Sequence, residues 1–472
     1  MSRRNQSIFG NVDWISFSLY LSLIAIGWLM IYTVGLGEGY PLSKIDFLFE
    51  TTVGKQSFFI LAALAILFFI LVIEWKFWRT FAFPLYAFFI GGLLLVLIFG
   101  NTIKGATSWF SLPGGFTLQP SEFAKFGTCL ALAAYLSTFS TNINRIKHQL
   151  IAFGIILLPI SLIFLQPDAG SALVFLSFFV VLFREGMPAF PYLIGLILFS
   201  LFISTLTLTA SISVLIYFTI LIFIMISNLR KVNFYPFVAF AVLIGASIAA
   251  TQYDFTAYAL FINGAILIGL AVYHWLNRQT RLGIGASIGA LIGAGFAYFV
   301  AFAFDNILKP HQQDRLNVWL NPEKCDPQGS LYNVLQSKLA IGSGGLYGKG
   351  FLEGTLTKLN YVPEQSTDFI FCTIGEEQGA IGTVAIISLF IIFILRIIAL
   401  AERQKSEFSR AYMYGVAGLL FLHFFVNIGM TMGIVPIIGI PLPFISYGGS
   451  SLLGFSIMFA VVLKLDSNRY AV

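Results

Sequence analysis

The sequence predicts an all-α membrane protein, a polytopic bundle of spanning helices, and three observations carry that prediction. Hydrophobic residues make up 58% of the 472 and charged residues only 10%, with a mean hydropathy of +0.89, which is more apolar surface than a water-soluble fold can bury. Apolar runs of spanning length recur with little period-2 alternation, so the spans are helices and not barrel strands. Most Lys and Arg residues sit in the short stretches between those runs, so the net charge of +6 reports topology and not a nucleic-acid footprint.

Taken in order, fourteen runs qualify: about 14–34, 56–73, 80–99, 119–138, 148–166, 169–183, 189–208, 210–228, 234–251, 256–276, 283–304, 368–395, 411–434 and 444–464. Arg3 and Arg4 precede the first, which is too long for a signal h-region and lacks a small-residue cleavage site, so it reads as an uncleaved span. An even number puts both termini on one side. With that side as cytoplasm, seventeen of the 27 basic residues fall in or beside inner loops, and the expected topology is N-in and C-in. Residues 1–472 then form a single integral membrane domain with one large extracytoplasmic loop, 305–367, which concentrates Gly, Pro, amide and charged residues and is where a functional centre is expected. Within it Leu331, Val334, Leu335 and Leu339 mark an amphipathic helix lying on the membrane. Gly342, Gly344, Gly345, Gly348 and Gly350 follow; as a lone Gly-rich stretch they read as a flexible linker in preference to a phosphate-binding loop. Cys129, Cys325 and Cys372 have no paired spacing.

Four segments carry polar chemistry. Gly105-Ala106-Thr107-Ser108-Trp109 is followed by Gln119-Pro120-Ser121-Glu122-Phe123-Ala124-Lys125 at the start of the fourth span. Pro120 suits a first helical turn and Glu122 the positive dipole end. Glu122 and Lys125 share a helix face, so an internal ion pair is the plain reading, yet at a membrane boundary such a pair turns toward the bundle interior or a watery cavity. Trp319-Leu320-Asn321-Pro322 precedes Cys325-Asp326-Pro327-Gln328-Gly329, where turn chemistry alone explains the Asp. Val362-Pro363-Glu364-Gln365-Ser366-Thr367-Asp368 runs into Gly375-Glu376-Glu377-Gln378-Gly379, whose acids lie too deep in an apolar helix to be simple caps. Pro441-Leu442-Pro443-Phe444-Ile445-Ser446-Tyr447-Gly448-Gly449-Ser450-Ser451 reads as a re-entrant turn with close helix packing. None has the spacing of a Walker loop, a zinc site or a Ser-His-Asp triad, and four His in the whole chain leave little scope for His-based catalysis.

These segments in this order, with Gln166-Pro167-Asp168-Ala169-Gly170, resemble the signature of the SEDS family (shape, elongation, division and sporulation), the RodA/FtsW glycan polymerases. The run from Gln336 to Gly350 looks more like the elongation member RodA than the division member FtsW. The resemblance implies about ten family-core spans, with about four extra spans, 189–276, inserted in the core. It implies a peptidoglycan glycosyltransferase acting on lipid II with inversion, forming a β-1,4 bond as undecaprenyl diphosphate departs. Asp326 matches the family's catalytic aspartate and takes the base role, a choice that residue chemistry alone leaves open among Asp314, Glu323 and Glu364. Glu122 and Lys125 match family residues needed for activity, with Lys125 a diphosphate partner; Lys104, Trp109, Lys338, Lys349, Glu364 and Asp368 complete the expected substrate-binding set. Asp and Glu oxygens could hold Mg²⁺ or Mn²⁺, and the metal ligands stay unassigned. Expected partners are a class B penicillin-binding protein transpeptidase and other elongation-complex membrane proteins, with no nucleic acid, at a bacterial inner membrane with the active face periplasmic. The family usually has Arg where this chain has Ser108, so that Arg's role does not carry over. A lipid II flippase is the main competing class, although the apolar inner halves of the spans speak against it; a structural scaffold for cell-wall enzymes is a weaker one.

Overall fold

The computed structural model describes residues 11–35, 51–103, 105–113, 115–229, 234–329 and 331–469. Each of the fourteen apolar runs contains helix, and eleven helices among the described residues are long and apolar enough to cross a membrane. The chain divides into two compact units, residues 1–188 with 326–472 and residues 189–325.

The first unit opens with α1 (Trp14–Gly35), α2 (Thr52–Val72), the short α3 (Trp75–Thr80) and α4 (Ala82–Phe99). Thr51 caps α2 by accepting the Gly54 amide at 3.0 Å, which satisfies one of the amides a helix start leaves open. A small antiparallel sheet follows, β1 (Asn101–Ile103), β2 (Ala106–Leu112) and β3 (Phe116–Leu118), which span counting does not reveal. Next come α5 (Pro120–Leu136) and α6 (Ile146–Leu165). The run at 169–183 is broken into α7 (Ala169–Val174), a 3-10 turn and α8 (Phe178–Arg184). After the second unit the chain returns with α15 (Tyr332–Ser343), α16 (Thr355–Lys358), α17 (Ile370–Glu402), α18 (Glu407–Thr431) and α19 (Gly449–Ser467).

The core of this unit lies along α5, α18 and α19. The apolar windows of α18 and α19 are 83% and 78% buried, against 11–39% for the other long spans, which leave most of their side chains for lipid. Every residue of α5 except Phe123 and Tyr135 is buried, and it packs on α4, α18 and α19. The first span is clasped by α17, α19 and the backbone at 444–445. Tyr20 is fully buried, 2.8 Å from Ser456 Oγ and stacked on Phe459. Asp13 pairs with Arg396, and Arg403 with Asp466. A Cβ on Gly27 would stand 2.6 Å from Ile445 Cα, so only glycine admits the backbone at 444–445.

Between α18 and α19 the backbone from 434 to 448 is not helical. Irregular backbone at membrane depth needs internal partners, and here it has them. Asn427 Nδ2 donates to Ile440 O at 2.7 Å, the Leu442 amide donates to Ser446 Oγ at 2.8 Å, and the Tyr447 amide donates to Ser366 O at 2.9 Å.

The segment expected as a loop at 305–367 is largely structured: its amphipathic helix is present as α15, and one local reading needs correction. On α15 the buried stripe is Val334, Ser337 and Ala340, packed toward α17, while Leu335 and Leu339 are exposed. The glycine run is no flexible linker. Gly344 and Gly348 seat against the backbone of residues 375–378, where a Cβ on Gly348 would run into Glu377 O. The Lys349 and Gly350 amides donate to Glu376 O and Glu377 O at 3.0 Å each. Gly379, at φ +63, kinks α17 at this contact.

The second unit contains α9 (Phe190–Thr207), α10 (Ala210–Ser227), α11 (Tyr235–Gln252), α12 (Thr256–Leu276), α13 (Thr280–Asn306) and α14 (Pro310–Leu320). It takes in the four extra runs together with the span and helix that follow. Ile222, Met225, Ile226 and Leu267 form its core. Tyr217 donates to Gly289 O at 3.0 Å, with its ring where Gly293 has no side chain, the close approach that small residues permit between apolar helices.

Candidate active site

Pro120 opens α5, which puts Glu122 in its first turn and Lys125 one turn on. The Lys125 ammonium lies 2.8 Å from Glu122 Oε2, with the two side chains 1% and 3% exposed. It also meets His423 Nε2 at 2.9 Å and sits 4.9 Å from the centroid of the Phe455 ring. A charge this deep persists only when paired and hydrogen-bonded, and these three groups supply that. Lys125 therefore faces the bundle interior and no open surface.

Around the start of α5 a second set of contacts gathers. Gln119 Nε2 donates to Asp168 Oδ2 at 3.1 Å, and its amide to Ser450 Oγ at 3.1 Å. Asp168 caps α7 through the Ser171 amide at 3.0 Å. The Gln166-Pro167-Asp168 segment thus joins the same end of the bundle as Glu122. Trp109 is half-buried in β2 opposite Asn101. Ser108, where the family pattern has Arg, is fully buried and its hydroxyl has no hydrogen-bond partner among the described residues.

The remaining candidates lie on 326–368, except Lys104, which lies outside the described residues. Asp326 is exposed in a turn, its Oδ1 accepting the Gln328 amide at 3.0 Å and its carbonyl accepting the Gly329 amide at 3.1 Å. Lys338 is exposed on α15, its Nζ 2.7 Å from where a Gly433 Cβ would stand. Glu364 is exposed and accepts from Thr367 Oγ1 at 3.1 Å. Asp368 is half-buried, its carbonyl accepting from Asn427 Nδ2 at 2.8 Å. Lys349 is held by Glu376 at 2.6 Å and by Thr355 Oγ1 at 2.8 Å. Hydrogen bonds link the Lys125 group to Asp368 by way of His423 and Asn427 on α18; among the described residues none runs from that group to Asp326.

Sequence reasoning singled out Glu376 without its role, and missed a second feature altogether. Glu376, fully buried, is a hub: besides Lys349 it accepts the Leu356 amide at 2.8 Å, the Thr357 amide at 2.9 Å and Thr357 Oγ1 at 2.7 Å. It caps α16, a helix some twenty residues earlier in the chain. The other is His423 with Asn427, two polar residues four apart in an otherwise apolar run, a spacing that signals one inward face.

Among the described residues no three His, Cys, Asp or Glu side chains gather closely enough to hold a metal ion. These residues therefore do not by themselves fit a resident Mg²⁺ or Mn²⁺.

The FtsW/RodA/SpoVE profile, described as a cell cycle protein, matches residues 13–224 and 209–471. The chain belongs to this family. It is 32% identical to Peptidoglycan glycosyltransferase RodA of Treponema pallidum across 97% of this chain and 98% of that one. It is 31% identical to Peptidoglycan glycosyltransferase MrdB of Escherichia coli K12 across 81% and 78%. Among solved structures it resembles a chain from a peptidoglycan synthase complex that coordinates polymerization and crosslinking, at 26% identity and a TM-score of 0.62 over 98% and 99% of the two chains. RodA of Thermus thermophilus shares the fold at 23% identity and a TM-score of 0.55, over 97% and 98%.

Proposed function

We propose that this protein is a peptidoglycan glycosyltransferase of cell elongation and shape, polymerising glycan strands from lipid II at the outer face of a bacterial cytoplasmic membrane. One observation carries the reading: 32% identity to a peptidoglycan glycosyltransferase RodA over essentially the whole of both chains. The multi-pass helical fold, with many spans exposing apolar side chains, suits a substrate whose polyprenyl tail stays in lipid.

In an inverting transfer the acceptor 4-hydroxyl loses a proton, its oxygen bonds to the donor anomeric carbon, and the bond from that carbon to the diphosphate breaks. Asp326 takes the proton; its exposure and its open turn support that role, since a base must reach the hydroxyl. Cationic groups meet the departing diphosphate. Lys338 is the freest candidate, exposed and without a carboxylate partner among the described residues, whereas Lys349 is committed to Glu376. Glu122 and Lys125 act from beneath the surface, through the segments their pair is bonded to. A class B penicillin-binding protein is the partner proposed for cross-linking, supported by the similarity to a chain of a peptidoglycan synthase complex; other elongation-complex membrane proteins join it.

The test is reconstituted polymerisation of lipid II by wild type, Asp326→Ala and Asp326→Asn, each checked for monodispersity. Wild type is expected to make glycan strands, alone or with its partner, and both variants to lose about 10²–10⁴-fold in rate. Polymer from Asp326→Ala at wild-type rate removes the base assignment. Translocation of lipid II without any polymer from wild type favours a flippase.

A further inference from the structure

Lys125 is held from two sides, and one of its holders is oriented by the non-helical segment between α18 and α19. His423 is 1% exposed. Its Nε2 lies 2.9 Å from the Lys125 ammonium and its Nδ1 lies 3.1 Å from Pro441 O. A carbonyl oxygen only accepts, so Nδ1 carries the proton. Nε2 then presents a lone pair, which accepts from the ammonium; a second N–H there would face three N–H donors and a like charge. The backbone at Pro441 thereby fixes which end of the imidazole the lysine meets. One turn along the same face, Asn427 donates to Ile440 O at 2.7 Å and to Asp368 O at 2.8 Å. A single face of α18 thus ties the buried lysine, the 434–448 segment and the end of the polar 326–368 stretch into one bonded unit.

We propose that His423 is a positioning residue for glycosyl transfer, aiming Lys125 through Nε2 while registering the 434–448 segment through Nδ1. The proposal deepens the functional reading above and rests on it. A purely structural histidine would serve only to satisfy Pro441 O, and the two roles use different nitrogens. That difference makes them separable. The amide of Asn reaches the place of Nδ1 and can donate to Pro441 O, with nothing left to accept from Lys125. The amide of Gln reaches the place of Nε2 and can accept from Lys125, at the cost of the Pro441 contact.

The experiment is lipid II polymerisation by the full chain in lipid vesicles, comparing wild type, His423→Asn and His423→Gln, with thermal unfolding of each in parallel. His423→Asn is expected to lose about 10²-fold in kcat, the scale of a small misplacement of a reacting group. Its KM should stay within about threefold of wild type, the pattern of an interaction felt in the transition state. His423→Gln is expected to hold kcat within about tenfold of wild type even where it unfolds at lower temperature. The proposal is overturned by a His423→Asn variant as active as wild type, by a His423→Gln variant that is folded but no better than His423→Asn, or by a loss in KM alone. If His423→Asn does not fold, His423→Gln decides alone: folded and active supports the proposal, folded and inactive overturns it. A wild-type chain that makes no polymer overturns the functional reading and the proposal with it, whereas either variant result beside an active wild type bears on His423 alone.

Discussion

Replacing Glu376 by Ala removes the acceptor on which residues 349–357 converge. The carboxylate is fully buried and takes the Leu356 and Thr357 amides at 2.8 and 2.9 Å, Thr357 Oγ1 at 2.7 Å and the Lys349 ammonium at 2.6 Å. Each amide loses a hydrogen bond to a charged acceptor, about 1.5–3 kcal/mol. Lys349 keeps 27% of its side-chain surface in solvent, so water replaces much of what it loses, and the ion pair adds little to the sum. About 3 kcal/mol is therefore a low figure for the pair of amides, and it applies to local opening of α16 and not to the bundle. Since 1.4 kcal/mol is a factor of ten, the Leu356 and Thr357 amides should exchange about 10²-fold faster in Glu376→Ala. Hydrogen-exchange mass spectrometry of the peptide containing α16 measures this directly. Glu376→Gln, which keeps one acceptor oxygen, should fall between Ala and wild type. Exchange in Glu376→Ala within about threefold of wild type would refute the hub, because amides already open to water lose nothing when their acceptor goes.

Other consequences are as direct. Gly348→Ala should destabilise the protein by about 3 kcal/mol or more, since its Cβ collides with Glu377 O and its φ is +79, whereas Gly91→Ala, with nothing within 4 Å, should change stability by less than about 1 kcal/mol; unfolding temperatures in one detergent compare the two. Burial pushes the Asp13 carboxyl up, but its hydrogen bonds from Arg396 and Ser16 outweigh this and hold it down at about 2, against an ordinary 3.8. A depressed carboxyl stabilises the fold fully above its unfolded value, so Asp13→Asn should cost about 1–2 kcal/mol at neutral pH, allowing for the partly exposed guanidinium, and the gap to wild type should close as pH falls from 3.8 toward 2; a gap unchanged down that titration contradicts the assignment. Cys129 and Cys372 are each 2% exposed while Cys325 is half-buried, so a membrane-impermeant maleimide applied to the outer face of intact cells should label Cys325 alone, and labelling only after lysis places the 326–368 stretch on the wrong side.

The spans were readable because their composition is a local property: twenty apolar residues in a row leave a helix as the way to satisfy the backbone in lipid. The Glu122–Lys125 pair was readable for the same reason, lying three residues apart on one helix. What stayed hidden depends on distant parts of the chain. His423 reaches Lys125 across 298 positions, and nothing near either residue announces the other. The glycines at 344–350 suggest freedom until residues 375–379 are laid against them. On α15 the illegible part was the face that packs on the protein: Val334, Ser337 and Ala340 are buried, Ser337 donating to Thr431 O at 2.6 Å, while Leu335 and Leu339 stay exposed, as an apolar face turned to lipid does when small or polar residues take the packed side.

The clasp on the first span bears on how the protein is made. Asp13, Tyr20 and Gly27 find their partners at Arg396, Ser456 and Ile445, in the part of the polypeptide that is synthesised last. Until then the Asp13 carboxylate has only Ser16 beside it, without its cation, and the Tyr20 phenol lacks its matching hydroxyl. Nascent chains cut short before α17 would keep that mismatch permanently.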